Sequence, residues 1–134
     1  MTPPLQRILY VEDQPDIQVV ARMALVKRGG FEVKVSSSGE EALAAAPGFA
    51  PDLLLLDVMM PGMDGPATLA ALRQLPGTAT TPVIFMTAKV HPPMIDEYLQ
   101  LGAIDVIPKP FDAMTLAAQV SAIWARHHTS DPNK

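Results

Sequence analysis

Short apolar runs alternate along the chain with stretches whose apolar residues recur every three or four positions. RILYV (7–11) is β-favouring and stops at Glu12-Asp13. Ile17, Val20, Ala21, Ala24 and Leu25 then mark one face of a helix that Gly29-Gly30 ends. FEVKVS (31–36) alternates apolar and polar, as a half-exposed or edge strand does. In the next helix Ser38 can cap, Glu41 completes a capping box, and Pro47-Gly48 marks the end. PDLLLLD (51–57) is continuously apolar until its last residue, which predicts a central strand covered on both faces. Asp64-Gly65-Pro66 opens a helix with Leu69 and Leu72 inward. PVIFMT (82–87) is the fourth strand. Pro92-Pro93 opens a helix with Ile95, Tyr98 and Leu99 on one face, ended by Gly102. DVI (105–107) is a brief fifth strand, and Leu116, Val120, Ile123 and Trp124 mark the inward face of the last helix.

This order, βαβαβαβαβα, predicts an α/β fold with a five-stranded parallel sheet, doubly wound with helices on both faces. The prolines fall at edges and loops, which supports the segmentation. A length of 134 residues suits one domain, with a core over 7–126 and a polar tail, 127–134, in which His127-His128 are solvated.

Composition narrows the chemistry. There are no cysteines, which excludes disulfides and thiolate metal sites and fits a cytoplasmic address. A net charge of −4 argues against direct nucleic-acid binding, which needs a basic stripe. No signal-peptide core or membrane-length apolar run is present, so no membrane association is expected.

In a parallel sheet all strand C-termini meet at one edge, where ligands bind. The residues gathered there are Glu12 and Asp13 after strand one, Asp57 at the end of strand three, Thr87 at the end of strand four and Lys109 after strand five. Crowded carboxylates repel, and a cation relieves them. With hard oxygen ligands and no nearby His or Cys, that cation is Mg²⁺, Mn²⁺ or Ca²⁺, and few carboxylates plus water favour Mg²⁺. Asp57 can then act as a nucleophile on phosphorus. The phosphoryl oxygens would be met by the ion, by Lys109 and by Thr87, with the Ala88 N–H nearby. Ala88 is small and leaves the approach open.

The stretches VEDQPD (11–16), LLLLDVMMPGMDG (53–65), PVIFMTA (82–88) and KPF (109–111) resemble the CheY-like receiver domain of bacterial two-component response regulators. The resemblance covers 7–126 and implies strand order 2-1-3-4-5. It implies that Asp57 is the phosphoacceptor, supplied by a histidine kinase or histidine phosphotransfer protein, and that phosphorylation switches interaction with a downstream partner. It further implies Mg²⁺, with Mn²⁺ an alternative, on Glu12, Asp13, Asp57 and the Met59 backbone carbonyl. Thr87, Ala88 and Lys109 would serve the phosphoryl group, and a cis bond would join Lys109 to Pro110. Such a protein is a signalling phosphoprotein and not a turnover enzyme. It catalyses only its own phosphoryl transfer and dephosphorylation.

The family usually has Tyr or Phe three residues before the lysine, where this chain has Val106. Signal flow is then expected through the 88–93 loop and the following helix. Met59 and Lys89 flank the acceptor and are expected to tune phosphoryl lifetime. A haloacid-dehalogenase-type phosphatase would need an acid where Met59 stands. An FMN binder would need a Gly/Ser/Thr cradle where EDQPD stands. A docking pseudo-receiver that works without phosphorylation is the remaining alternative, and it usually lacks one of the residues present here. The fourth helix shows no charge set for a symmetric dimer, so a monomer is expected.

Overall fold

The computed structural model describes residues 3–129. Five strands form one parallel sheet: β1 (Arg7–Val11), β2 (Glu32–Ser36), β3 (Leu53–Asp57), β4 (Val83–Thr87) and β5 (Asp105–Pro108). Their order is β2-β1-β3-β4-β5, as the resemblance implies. Five helices connect and flank them: α1 (Pro15–Met23), α2 (Gly39–Phe49), α3 (Gly65–Leu72), α4 (Pro92–Gln100) and α5 (Leu116–Thr129). Among the described residues no helix is long and apolar enough to cross a membrane.

Strand parity builds two cores. Ile8, Tyr10, Leu53, Leu55, Ile84, Met86 and Ile107 face one side, where Leu25 and α5's Leu116, Val120, Ile123 and Trp124 cover them. Leu9, Val11, Leu54, Leu56, Val83 and Phe85 face the other, covered by α2, α3 and Tyr98 of α4. The run Leu53–Leu56 is fully buried because its alternate residues enter both cores. β2 is one of the two edge strands, and its alternation is that of a half-covered surface.

Four expectations need correction. α2 does not end at Pro47-Gly48; it runs to Phe49 with Pro47 inside, so the prolines are not confined to edges and loops. Pro47 forfeits one helical donor near the end of α2, on an exposed turn where water can serve the freed carbonyl. The helix ends instead at Ala50, in the left-handed region (φ 52°). α5 extends to Thr129, so the tail does not begin at 127: His127 is exposed as expected but helical, and His128 is a half-buried part of the same helix. The His128 ring packs 4.1 Å from that of Trp124, and its Nδ1 lies 2.8 Å from the Trp124 carbonyl. Residues 130–134 of the expected tail lie outside the described residues. On α1, Val20 is 46% exposed although it sits on the periodic face, because cover reaches only Ala21, Ala24 and Leu25. Leu99 of α4 is likewise exposed, leaving Tyr98 as the buried anchor, edge-on to Phe85 at 5.5 Å. α1 continues as a π-helical stretch, Ala24–Arg28, before the glycines.

Candidate functional site

The crevice is built by where strands stop. The Glu12 N–H donates to the Ser36 carbonyl (3.0 Å), which ties the end of β1 to β2. Beyond β3, Val58 N–H donates to the Met86 carbonyl (3.0 Å) and Gly65 N–H to the Val58 carbonyl (2.9 Å). A Cβ on Gly65 would stand 2.6 Å from the Asp57 carbonyl oxygen and 2.8 Å from Val58 Cα. Only glycine lets the first turn of α3 press this closely on the strand end. Asp64 caps that turn, its Oδ1 accepting from Ala67 N–H at 2.9 Å. Gly62 takes the intervening turn at φ 74°.

Glu12, Asp13 and Asp57 each offer a carboxylate oxygen, all within 4.8 Å of one another. Glu12 is fully buried and Asp57 is 2% exposed. The Lys109 ammonium bridges them, 2.9 Å from Glu12 Oε1 and 3.1 Å from Asp57 Oδ1. Gln14 N–H donates to the second Glu12 oxygen at 3.2 Å. The Lys109–Pro110 peptide bond is cis. Lys109 N–H also donates to the Thr87 carbonyl at 2.9 Å, joining the ends of β4 and β5.

Burial pushes both acids above their ordinary pKa. The Lys109 ammonium pulls the other way, and the neighbouring carboxylates add to the rise. Burial alone would lower Lys109, but its bonds to Glu12 and Asp57 prevail and hold it above its usual value. One ammonium therefore serves two buried acids and leaves negative charge uncompensated. Asp13 Oδ1 is buried without a hydrogen-bond partner among the described residues. An unpaired acceptor beside two crowded carboxylates suits a hard divalent cation, so these residues fit a metal ion.

Thr87 is buried at the end of β4, and its Oγ1 accepts from Lys89 N–H at 3.0 Å. Its hydroxyl is thus engaged with the following loop. Ala88 and Lys89 are exposed, and Met59 beside the acceptor strand is 60% exposed. Val106 is half-buried against the core on the α4 side. The structure brings Glu12, Asp13, Asp57 and Lys109 together, with Thr87 tied to Lys109 through the backbone. Tyr10, not among the residues the strand ends single out, has a hydroxyl buried without a partner among the described residues. Its signal is one phenol inside the apolar run Ile8–Val11.

The response regulator receiver domain model matches residues 8–121 of the chain. The transcriptional regulatory protein CpxR of Escherichia coli is 42% identical over 129 residues, covering 95% of this chain and 53% of CpxR. The DNA-binding response regulator MtrA of Mycolicibacterium smegmatis is 39% identical over 123 residues, covering 91% of this chain and 52% of MtrA. The chain spans about half the length of the curated relatives it matches. Among solved structures, the chemotaxis protein CheY4 of Vibrio cholerae superposes with a TM-score of 0.81 at 29% identity, covering 90% of this chain and 99% of CheY4.

Proposed function

The chain belongs to the response regulator receiver domain family, and from that premise we propose that it accepts a phosphoryl group on Asp57 from a histidine kinase or histidine phosphotransfer protein. Receiver domains act as phosphoacceptor switches that interact with histidine kinases and downstream effectors. The observation that carries the reading is the bridged, buried pair of Asp57 and Glu12 under Lys109, with Asp13 beside it.

An Asp57 carboxylate oxygen attacks the donor phosphorus. The new O–P bond forms as the bond to the donor's imidazole nitrogen breaks, and the leaving nitrogen keeps the electron pair. Lys109 turns its ammonium from Asp57 to a phosphoryl oxygen, while the Thr87 hydroxyl and Ala88 N–H meet the others. Glu12, Asp13, Asp57 and the Met59 carbonyl would hold Mg²⁺, which when bound would neutralise charge on the transferring group. Water attack on phosphorus reverses the modification, and Met59 and Lys89 at the mouth set how readily it arrives. The chain performs only its own transfer and hydrolysis.

The switch passes from Thr87 directly into the loop that follows. Its Oγ1 already holds Lys89 N–H, so drawing Thr87 towards a phosphoryl group pulls on 88–91 and the start of α4. Val106 offers no aromatic ring to relay the change through β5. Incubation with acetyl phosphate and Mg²⁺, followed by intact mass, tests the chemistry. Gain of one phosphoryl group, absent in Asp57→Asn, is the expected result. A wild-type protein that stays unmodified refutes the reading.

A further inference from the structure

Glu12 and Asp13 share one peptide at the end of β1, and a side chain from α1 reaches back to it. The Gln18 Nε2 lies 2.5 Å from the Glu12 carbonyl oxygen and 3.0 Å from Ser37 Oγ. A carbonyl only accepts, so the nitrogen is the end of the amide that faces it, and its two protons match the two acceptors. Gln18 is half-buried, whereas Ser37 is exposed.

Ser37 is fixed in its turn. Its N–H donates to Glu41 Oε1 at 3.1 Å, while Ser38 Oγ accepts from Glu41 N–H at 3.1 Å. This is a capping box in which the glutamate reaches one residue further back than usual. A line of bonds thus runs from the start of α2 through Ser37 and Gln18 to the Glu12 carbonyl. The Glu12 N–H meanwhile donates to the Ser36 carbonyl at 3.0 Å. Both backbone groups of Glu12 are therefore tied, one directly to β2 and one through Gln18. Asp13 stands on the far side of the peptide that Gln18 holds. Lys109 bridges Glu12 and Asp57, but Asp13 Oδ1 is buried with no hydrogen-bond partner among the described residues. With that oxygen unbonded, the carboxylate takes its aim from the backbone that carries it.

We propose that Gln18 is a positioning residue of the cation site: its amide holds the Glu12–Asp13 peptide so that Asp13 presents its free carboxylate oxygen beside those of Glu12 and Asp57 before an ion arrives. Groups that orient metal ligands from behind typically change affinity by about 10- to 100-fold when removed. The proposal rests on the reading of Glu12, Asp13 and Asp57 as the Mg²⁺ site of a phosphoacceptor.

Gln18→Met keeps the length of the side chain and deletes both donors. Ser37→Ala, at an exposed position, deletes only the outer anchor. Calorimetric titration with Mg²⁺, and with the phosphoryl mimic beryllium fluoride at saturating Mg²⁺, compares both with wild type at a temperature where thermal unfolding shows each to be folded. Gln18→Met is expected to bind Mg²⁺ about tenfold more weakly. Ser37→Ala should lose less, and should add nothing to Gln18→Met, because it acts through the same amide. Affinity for beryllium fluoride should hold in both, since the bound ion then fixes Asp13. Wild-type Mg²⁺ affinity in Gln18→Met overturns the proposal. So does an equal loss for both ligands, which marks general damage to the crevice, or a Ser37→Ala loss that persists undiminished beside Gln18→Met. If Gln18→Met does not fold, Ser37→Ala decides, and wild-type Mg²⁺ affinity there overturns the proposal. Wild type that binds no Mg²⁺ overturns the metal-site reading and this one with it, whereas wild type that binds Mg²⁺ no more tightly than the variants overturns this one alone.

Discussion

Replacing Asp57 by Asn should make the metal-free protein more stable, although it deletes an ion pair. With an effective dielectric of about 20, Coulomb's law gives a repulsion of at least ~3.5 kcal/mol for each carboxylate within 4.8 Å of Asp57. The attraction to Lys109 at 3.1 Å is ~5 kcal/mol on the same scale. Asp13 is only half-buried, so solvent trims its share, and attraction and repulsion come close to cancelling. What is left is the cost of stripping water from a carboxylate that is 2% exposed, several kcal/mol per ion in real proteins. Asparagine keeps the shape and removes that cost, but its buried amide loses about 1–3 kcal/mol for want of partners. The balance favours Asp57→Asn by about 1–3 kcal/mol, or roughly 4–12 °C in melting temperature for a domain of this size.

The assay is thermal unfolding followed by circular dichroism, in chelator and then in Mg²⁺. Saturating Mg²⁺ at a hundred times its dissociation constant stabilises wild type by about 2.7 kcal/mol. It should stabilise Asp57→Asn less, so the gap narrows or reverses. The pH dependence has a fixed sign. Asp57 titrates above its ordinary 3.8 in the folded protein, so the folded state holds its proton more tightly and wild-type stability falls as pH rises through the folded value. The advantage of Asp57→Asn must therefore open with rising pH and close as pH falls towards 3.8. An Asp57→Asn protein that melts below wild type at neutral pH in chelator, or whose advantage ignores pH, refutes the reasoning.

Gly65→Ala drives a methyl against two backbone atoms of the acceptor strand end, and overpacking of this kind costs about 1–3 kcal/mol; calorimetry should show a lower melting temperature and intact mass slower phosphoryl gain. Met59→Asn places a polar group at the mouth of the crevice, and phosphoryl lifetime followed by mass should shorten several-fold; an unchanged rate removes Met59 from any tuning role. Nuclear magnetic resonance of the phosphorylated protein should show amide shifts across 88–102, and their absence would sink the route through Lys89.

Much of the architecture was legible because burial writes itself into residue order. Leu53–Leu56 had to be a central strand, and the acid ending it had to surface at the sheet edge. Glu12, Asp13 and Lys109 could be assigned to the same edge because parallel strands share one polarity. Other features depended on surroundings that residue order does not carry. α5 runs past His127 where His128 packs on Trp124, whose indole N–H in turn donates to the Pro3 carbonyl at 2.8 Å. Val20 lies on the right stripe of α1, but its cover is partial and leaves it 46% exposed. Pro47 misled because the rule against helical proline weighs a missing donor without knowing whether water can reach the freed carbonyl. Tyr10 escaped notice because an apolar run hides one hydroxyl well, and only its lack of a partner makes it conspicuous.

The hydrogen bond from Lys109 N–H to the Thr87 carbonyl joins two strand ends that both face the crevice. It stitches the tips of β4 and β5 to each other, while Glu12 is stitched by its own amide to the outer strand β2. If Thr87 and Lys109 both grip a group on Asp57, they are drawn as one hinged plate, carrying α4 and the entry to α5. The half built on β1 and β2 meets that plate through the Lys109 side chain, whose ammonium lies 2.9 Å from Glu12 Oε1. A protein that recognises the modified form by shape would then find its cue on the β4–β5 wing, leaving the opposite wing free to hold the donor throughout.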